Sequence, residues 1–362
     1  MNDKRFYAVI LAGGKGERFW PYSTERRPKQ LLSLVGGKPM LALAVERLSG
    51  LISPDRVYVI THADLVVASR KAAPGLPPGN VIGEPVGRDT AAAIALGAAI
   101  VKSRDPGAAF CVLTADHIIG DLDVFQATLR ESLTMALKQD VLITMGIQPT
   151  GVSTGYGYIE AGAEVGKFSG IVFQRAARFV EKPDKTRAKQ YLESGNYFWN
   201  SGMFVWSVAS IEKALGKHRP VLADLLNRLA TAFGTDRFDA LVAGAYEKLE
   251  KISIDYALME KADNIVMVKG TFRWDDVGSW PALEAHLPKD SNGNTVLGDF
   301  QALDSTDNIV ISEDRLTALI GVKDLIVVHA DGATLVCSCA RAQEVKEMVH
   351  CLRATGRHGK VL

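Results

Sequence analysis

Short apolar runs alternate with helical patterns through the first 150 residues of this chain. The strand-like runs are Ala8 to Leu11, Val57 to Ile60, Phe110 to Leu113 and Val141 to Ile147. The helical patterns between them are Met40 to Leu48, Thr90 to Lys102 and Val124 to Gln139. This alternation predicts an α/β fold with a mostly parallel sheet covered by helices on both faces. Ligands of such sheets bind at the carboxyl ends of the strands.

The first apolar run leads into a glycine-rich turn that is followed by cationic side chains. Gly13, Gly14 and Gly16 permit positive φ and a close approach of backbone N–H groups to an anion, and Arg18 and Lys29 follow. Residues 1 to 30 carry seven cationic and three acidic side chains, a net charge of +4. The segment predicts a triphosphate site, although a tight turn beside a solvated basic surface would account for the same residues.

Two common phosphate-binding motifs do not fit this turn. A Walker loop needs a Gly-Lys pair after four spaced residues, whereas here Glu17 and Arg18 follow Gly16. A dinucleotide-binding turn needs a small residue where Phe19 stands, and an acid where Ser33 to Met40 has none. An NAD-dependent dehydrogenase is therefore disfavoured.

Composition excludes several classes of protein. A net charge of +1 over 362 residues argues against nucleic-acid and membrane-surface partners, and the length suggests two or three domains. The longest apolar stretch, Ala91 to Val101, is far shorter than a membrane span, and no signal peptide is visible. We expect a cytoplasmic protein whose four cysteines, none in a CxxC pair, are reduced.

The pattern changes after residue 155. Aromatic-rich strands and one helix, Asp184 to Ser194, lie between Tyr156 and Phe204, and we interpret this segment as an insertion that holds a second substrate. Turn residues at Pro288 to Asn294 predict a boundary between a domain of residues 1–290 and a domain of residues 291–362. Short strands and an amphipathic helix, Ala342 to Leu352, follow, and they predict a structural or oligomeric role.

Carboxylates at two strand or turn positions are candidate metal ligands. Asp116 follows the apolar run FCVLTA, and Asp275 and Asp276 lie between two tryptophans. Mg²⁺ needs only one or two protein carboxylates beside phosphate oxygens, so Asp116 with one of the pair would suffice. Turn or helix capping is the alternative for each, and the sequence alone does not bring them together.

Three further segments carry candidate ligand-binding side chains. A small-residue helix should be capped by Asp89 or Thr90 and could receive a base or phosphate, while the nearby Glu84 could accept hydrogen bonds from guanine or simply be solvated. Glu181 suits sugar hydroxyls and Lys182 a sugar phosphate, or they form a surface ion pair. Asn200, in the aromatic strand, fits a carbohydrate pocket or a core turn.

Over residues 6 to 355 these motifs resemble those of the sugar nucleotidyltransferases. The motifs are LAGGKGERFWP with PKQ, GRDTAAAI, ADH, GYGYI, FVEKP, WNSGMF, SIDYALMEK and WDDVGSW. RFWPYS, GRDTAAAI and WDDVGSW look more like the guanylyltransferase branch than the thymidylyl or adenylyl branches. Thr114 stands where many relatives have Pro, and Asp275 where Ser is common.

The resemblance implies a Rossmann-like nucleotidyltransferase domain followed by a small left-handed β-helix domain. Because this sequence stops soon after that β-helix, we expect it to hold no isomerase domain like that of bifunctional relatives. It implies catalytic roles for Arg18, Lys29, Asp116 and Asp276, of which Asp116 and Asp276 would bind Mg²⁺. The implied nucleotide-binding residues are Leu11, Ala12, Gly13, Gly14, Gly16, Arg18, Glu84, Asp89 and Thr90. The implied sugar-phosphate residues are Gly157, Glu181, Lys182, Asn200 and Asp255.

The activity that the resemblance implies is transfer of GMP from GTP to mannose 1-phosphate, giving GDP-mannose and pyrophosphate, by a homodimer. Two alternatives stay open. One is the same chemistry with another nucleoside triphosphate or sugar 1-phosphate, and the other is a catalytically silent sensor that binds GDP-mannose.

Overall fold

The computed structural model describes residues 3–362, and they divide into two compact units. The first, here called the sheet unit, comprises the described residues up to Gly13 together with 44–115 and 119–274. The second, here called the β-helix unit, comprises residues 14–43, 116–118 and 275–362. The glycine turn after Gly13 and the residues around Asp116 thus belong to the same unit as the C-terminal strands. The predicted domain boundary between residues 290 and 291 stays a prediction.

Strands and helices are numbered in chain order over the described residues. The strands are β1 (Phe6–Ala12), β2 (Val57–His62), β3 (Val81–Glu84), β4 (Ala109–Thr114), β5 (Ile118–Ile119), β6 (Leu142–Ile147), β7 (Tyr158–Phe168), β8 (Ile171–Val180), β9 (Tyr197–Ser207), β10 (Ile265–Gly270), β11 (Trp274–Asp275), β12 (Thr295–Leu297), β13 (Phe300–Leu303), β14 (Ile309–Ser312), β15 (Thr317–Ile320), β16 (Leu325–Ala330) and β17 (Ala333–Ser338). The α-helices are α1 (Met40–Glu46), α2 (Val66–Ala72), α3 (Asp89–Arg104), α4 (Leu122–Lys138), α5 (Lys185–Ser194), α6 (Val208–His218), α7 (Pro220–Ala232), α8 (Phe238–Tyr246) and α9 (Val345–Thr355). A short π-helix covers Asp255–Met259.

The sheet unit is built on one sheet whose strand order is β3-β2-β1-β4-β9-β6-β10-β8-β7. Within the described residues, seven of these nine strands point in one direction, and β8 and β9 point in the other. This confirms the predicted mostly parallel α/β sheet. Of the four parallel strands, β1, β2 and β4 are buried along most of their length, as expected for strands covered on both faces, and the edge strand β3 is buried at its two ends.

The aromatic segment between Tyr156 and Phe204 does not form a separate insertion, so that part of the prediction is wrong, while its role in holding a second substrate stays a prediction. Its strands β7, β8 and β9 join the main sheet, and β9 lies between β4 and β6. The physical reason is that β9 is apolar. Its residues Phe204, Val205 and Trp206 are all buried. A central position in the sheet removes these side chains from water.

Helix α3 packs closely on the sheet because its residues are small. Ala91 to Val101 are all buried, and a Cβ at Gly97 would come within 2.6 Å of the Val9 side chain in β1. The predicted cap is wrong: the N-cap residue is Arg88, without a side-chain capping bond. Asp89 instead has φ 66°, and its Oδ1 accepts from the Thr90 backbone N–H at 2.7 Å.

Parallel strands repeat at short intervals in the β-helix unit. Thr295 pairs with Ile309 and Ile309 with Ile326, while Phe300 pairs with Thr317, so successive turns of chain stack every 14 to 17 residues. A buried ladder of asparagines joins these turns, with Asn308 Nδ2 donating to Asn294 Oδ1 at 2.9 Å. Such ladders satisfy buried amides within the stack. The C-terminal β-helix domain is therefore confirmed.

The core of the β-helix unit also includes the segment after the glycine turn. Phe19 and Trp20 are buried with Trp280, with strand residues of β14 and β16, and with Val345 and Val349 of α9. The ring centroids of Phe19 and Trp280 are 4.9 Å apart, in an edge-to-face arrangement. The glycine turn is therefore anchored by apolar packing to the C-terminal strands and helix.

No α-helix in residues 3–362 combines the length and the apolar character that crossing a bilayer requires. The four cysteines have free thiols, and Cys111 is buried.

Candidate functional site

An open cavity of about 380 Å³ lies in the β-helix unit, and we call it the phosphate cavity. Its lining residues come from five separate stretches of chain: Gly14, Lys15, Gly16, Glu17, Arg18, Phe19, Lys29, Asp116, His117, Asp276, Val277, Gly278 and Lys346. The structure thus brings together around one cavity the predicted residues Gly14, Gly16, Arg18, Lys29, Asp116 and Asp276. The sequence alone did not bring Asp116 and Asp276 together.

Lys29 is the most enclosed cation of this cavity. Its side chain is 6% exposed, and its Nζ donates to Asp116 Oδ2 at 3.1 Å and to the Asp276 carbonyl oxygen at 2.5 Å. Gly16 has φ 64°, and a Cβ there would stand 2.6 Å from the Lys29 Cβ and 2.9 Å from its backbone nitrogen. Only glycine fits this position, because any side chain would displace Lys29.

Asp116 is held in its charged form. The surrounding protein would by itself raise the pKa of this carboxyl, but the charge of Lys29, and then that of His117, outweigh burial and lower it. The His117 Nε2 lies 3.9 Å from Asp116 Oδ1. The carboxylate is about one-third exposed, so its oxygens can reach a ligand in the cavity.

The two aspartates of the WDDVG segment differ in their surroundings. Asp275 Oδ1 accepts from the Val277 backbone N–H, and Oδ2 bonds the His286 Nε2, each at 2.7 Å. Asp275 is thus committed to the turn and to His286, whereas Asp276 lines the phosphate cavity. This geometry favours Asp276 over Asp275 as the second carboxylate of the cavity.

Arg18 is held at the cavity by groups from the C-terminal half of the chain. Its Nη1 donates to the Gly278 carbonyl oxygen at 2.7 Å and to Gln343 Oε1 at 3.3 Å, and Gln343 Nε2 donates to Ser279 Oγ at 3.1 Å. Sequence reasoning gave no role to His117 and Lys346, which line the cavity, or to Gln343, which contacts Arg18. His117 adjoins Asp116, which is a usable signal, but Gln343 and Lys346 lie in an ordinary amphipathic pattern.

A second cluster, here called the acid–amide cluster, lies in the sheet unit and joins all five predicted sugar-phosphate residues. Asn200 Nδ2 donates to Asp255 Oδ1 at 2.9 Å, and the Asn200 backbone N–H donates to the Gly157 carbonyl oxygen at 2.8 Å. Lys182 has φ 47°, so the backbone turns after Glu181 and brings Lys182 Nζ to 3.4 Å from Glu181 Oε1. Both side chains therefore share one side despite being consecutive.

Burial shapes the acids of this cluster. It raises the pKa of Asp255 to about 6, with the charge of Glu181 as the second cause, while the Asn200 hydrogen bond opposes the rise. Burial likewise raises the pKa of Glu181, against the opposing charge of Lys182. The Glu181 Oε2 atom is buried, has no hydrogen-bond partner among residues 3–362, and faces the position where a Cβ of Gly157 would stand. The cluster therefore offers an unused acceptor, as a site for hydroxyl donors requires.

Gly14, Gly16 and Arg18 are the predicted nucleotide-binding residues of the β-helix unit. The other six lie in the sheet unit: Leu11, Ala12, Gly13, Glu84, Asp89 and Thr90. Leu11 and Ala12 end β1, and the Ala12 carbonyl oxygen accepts from Thr61 Oγ1 at 2.9 Å, while Gly13 follows. Thr90 Oγ1 accepts from the Ile254 backbone N–H at 2.8 Å.

Glu84 ends β3 and is not the solvated side chain of the alternative interpretation, because it is only 7% exposed. Burial raises the pKa of its carboxyl to about 7, and the Tyr246 hydroxyl, which sequence reasoning missed, opposes this rise. One carboxylate oxygen, Oε1, has no hydrogen-bond partner in the part of the chain that the structure describes. Its predicted role in reading a base stays a prediction.

Two family profiles match the chain. One, described as nucleotidyl transferase, matches residues 7–292. The other, described as a MannoseP isomerase/GMP-like beta-helix domain, matches residues 298–352.

Curated relatives and solved structures agree with these profiles. A mannose-1-phosphate guanylyltransferase of Escherichia coli is 39% identical over 353 residues, which cover 96% of this chain and 74% of the relative. The xanthan biosynthesis protein XanB of Xanthomonas campestris is 39% identical over 360 residues, with 96% and 73% covered. A crystal structure from Thermus thermophilus, described as a mannose-1-phosphate geranyltransferase, superposes with a TM-score of 0.84 at 36% identity, covering 96% of this chain and 99% of that one. The chain therefore belongs to the sugar nucleotidyltransferases, in the mannose-1-phosphate guanylyltransferase family.

Proposed function

We propose that this enzyme transfers GMP from GTP to mannose 1-phosphate and releases pyrophosphate. The observation that carries the proposal is the phosphate cavity, where the glycine turn, Arg18 and Lys29 stand with Asp116 and Asp276. These groups are what a nucleoside triphosphate and a divalent cation need. The relatives named as mannose-1-phosphate guanylyltransferases support the choice of GTP and mannose 1-phosphate.

The nucleophile in this reaction is a phosphate oxygen of mannose 1-phosphate, which is already an anion. No general base is required, and in-line attack on the α-phosphorus expels pyrophosphate. The work of the protein is to position two polyanions and to neutralise charge on the transferred phosphate and on the leaving group. Lys29, enclosed and aimed by two oxygen acceptors, and Arg18 supply that charge.

Asp116 and Asp276 fit a magnesium ion. The pKa of Asp116 is lowered, so it presents charged carboxylate oxygens to the cavity, and Asp275 is committed elsewhere. The described residues contain no group of three or more acidic, His or Cys side chains arranged for a metal. The two carboxylates of Asp116 and Asp276 suit Mg²⁺, which takes one or two protein carboxylates and fills its shell with water and phosphate oxygens. When bound, the ion would neutralise phosphate charge.

The acid–amide cluster would hold the mannose 1-phosphate. Lys182, which is 61% exposed, would contact its phosphate, and the buried Glu181 Oε2 would accept from a sugar hydroxyl. Asn200 and Asp255, joined at 2.9 Å, would orient the sugar ring, and Gly157 leaves the space that Glu181 occupies. The cluster would therefore bind both the phosphate and the sugar ring of a hexose phosphate.

Base recognition would rest on the carboxyl end of β3 and the start of α3. Glu84 would accept from guanine N1–H and its amino group through the buried carboxylate oxygen that lacks a partner. Asp89 and Thr90 begin α3, and the N–H groups at the N-terminus of this helix would receive the base or a phosphate of the nucleotide.

The test is a pyrophosphate-release assay with purified protein, Mg²⁺, each of four nucleoside triphosphates and several sugar 1-phosphates. We expect the highest rate with GTP and mannose 1-phosphate. A best pair without GTP would replace the nucleotide, and a best pair without mannose 1-phosphate would replace the sugar. Binding of GDP-mannose without any release would show a silent sensor.

A homodimer and a cytoplasmic location are also part of the proposal. Light scattering after size-exclusion chromatography tests the first, since a monomer at micromolar concentration would contradict it. Fractionation of the source cells tests the second.

A further inference from the structure

One face of helix α9 is apolar, and the face next to it is basic. Val345 and Val349 are buried in the core of the β-helix unit. Lys346, His350 and Arg353 follow at spacings of four and three residues, so they lie along a second face of the helix. The register of the basic face is fixed because the two valines hold α9 in place.

The basic face runs along the glycine-turn segment. Arg353 Nη1 donates to Glu17 Oε1 at 2.5 Å and Nη2 donates to Glu25 Oε1 at 3.1 Å, while His350 Nε2 lies 3.6 Å from Glu17 Oε2. Both basic residues at the C-terminal end of this face thus have acidic partners. They fix the orientation of α9 against the segment that carries Gly16 and Arg18.

Lys346, at the N-terminal end of the same face, reaches the phosphate cavity. It lines the cavity with the glycine turn, and it is exposed. Within residues 3–362, Lys346 forms no ion pair, whereas Lys29 is paired with Asp116 at 3.1 Å. An ammonium that faces an anion-binding cavity without a carboxylate partner is available to a phosphate.

We propose that Lys346 is a phosphate-binding residue that contacts the pyrophosphate end of the nucleoside triphosphate. This inference rests on the proposed function. When the sugar phosphate oxygen attacks the α-phosphorus, the bond to the bridging oxygen breaks, and its electron pair leaves with pyrophosphate. Lys346 neutralises part of that charge. The C-terminal helix thereby contributes directly to the substrate site, beyond the structural role that its sequence predicts.

The first experiment measures binding of pyrophosphate in the presence of Mg²⁺ by calorimetry. Lys346→Ala should weaken binding about 10-fold, the size expected for one charge-assisted contact. Lys346→Arg should keep binding within about threefold, because the charge stays. Lys138→Ala, an exposed lysine at the end of α4, is the matched control and should change nothing. The loss in Lys346→Ala should shrink at high salt, because screening weakens the contact.

The second experiment separates binding from folding. Lys346→Ala should raise KM for GTP about 10-fold and leave KM for mannose 1-phosphate and the melting temperature unchanged. Unchanged pyrophosphate affinity would overturn the inference, and so would an equal loss of affinity for mannose 1-phosphate with a lower melting temperature. Pyrophosphate is the product from every nucleoside triphosphate. The calorimetric result therefore judges Lys346 even if GTP proves to be the wrong nucleotide.

Discussion

The phosphate cavity and the acid–amide cluster handle charge in opposite ways. In the phosphate cavity, Lys29 keeps the Asp116 carboxylate ionised and lowers its pKa against burial. In the acid–amide cluster, burial and mutual repulsion raise the pKa of Asp255, and burial raises that of Glu181. The first region is arranged to hold formal charges, whereas the second is arranged around hydrogen-bond acceptors.

This contrast follows from the ligands that the two regions would receive. A triphosphate with a divalent cation needs fixed positive charge and ionised carboxylates, because negative charge moves onto the leaving pyrophosphate during the reaction. The hexose ring of a sugar phosphate is neutral and needs directional hydrogen bonds, which a partly protonated acid and an amide supply, while Lys182 serves its phosphate. The contrast predicts that charge removal should mainly damage the first region and pH changes the second.

The largest effect is expected from removing the enclosed cation of the phosphate cavity. Lys29→Ala should lower kcat by about 10² to 10³, or ~3 to 4 kcal/mol, because charge on the transferred phosphate loses its stabilising partner. Asp116→Ala should cost a similar amount. Steady-state kinetics with circular dichroism provides the measurement, and Lys138→Ala is the control. Near-wild-type rates in both variants would remove the cavity from the mechanism.

Gly16 offers the second test, now of geometry rather than charge. Gly16→Ala combines a positive φ with a collision against Lys29, so we expect a loss of about 2 to 4 kcal/mol in unfolding free energy and a large loss of activity. Gly36→Ala is the matched control, because Gly36 has φ 69° and nothing within 4 Å of the added Cβ. It should lose only about 1 to 2 kcal/mol and stay active. Equal losses in both variants would show that the contact with Lys29 is unimportant.

The acid–amide cluster should respond to pH instead. Ionised Asp255 is destabilising, since its pKa is raised to about 6, so its cost grows as pH rises from 3.8 to about 6 and then stays constant. Asp255→Asn keeps an acceptor for Asn200 and should stabilise the protein by about 1 to 3 kcal/mol at pH 8. Urea unfolding at pH 5 and pH 8 measures this. A gain that does not shrink at pH 5 would contradict a buried charge as its cause.

The smallest effect is expected at Arg353, whose partner Glu17 lines the phosphate cavity. Arg353→Ala breaks the contacts with Glu17 and Glu25 and should lower the free energy of unfolding by about 1 kcal/mol. This is more than for the control Arg228→Ala, whose partner is an exposed Asp224 on the same helix.

The same ion pair should make stability depend on pH. Burial would raise the pKa of Glu17, but Arg353 outweighs it and lowers the pKa. The stabilisation is therefore present above the ordinary pKa of 4.5 and is lost as pH falls below it. Denaturant unfolding at pH 7 and pH 3 tests both statements, and equal costs at the two pH values would exclude this ion pair as the source.

Local sequence predicted much of the fold because each element carries its own pattern. The run Ala8 to Leu11 lies within β1, and the pattern from Thr90 to Lys102 lies within α3. The insertion was predicted wrongly because strand order is not written locally. The apolar strand β9 finds its place between β4 and β6 only when the whole sheet forms.

The chemical types of the candidate site were readable from the chain: a glycine turn, cations after it and acids at strand ends. Their grouping was not, because Asp116 and Asp276 are far apart in sequence and Lys346 lies in a helix with no distinguishing motif. The sequence by itself determined which anion-binding and acidic groups exist, because backbone freedom and charge are properties of single residues. It also determined which strands can be buried, because apolarity is such a property too. Only the tertiary structure decided that Phe19 and Trp20 pack with the C-terminal strands and α9, because long-range apolar burial sets which distant segments meet.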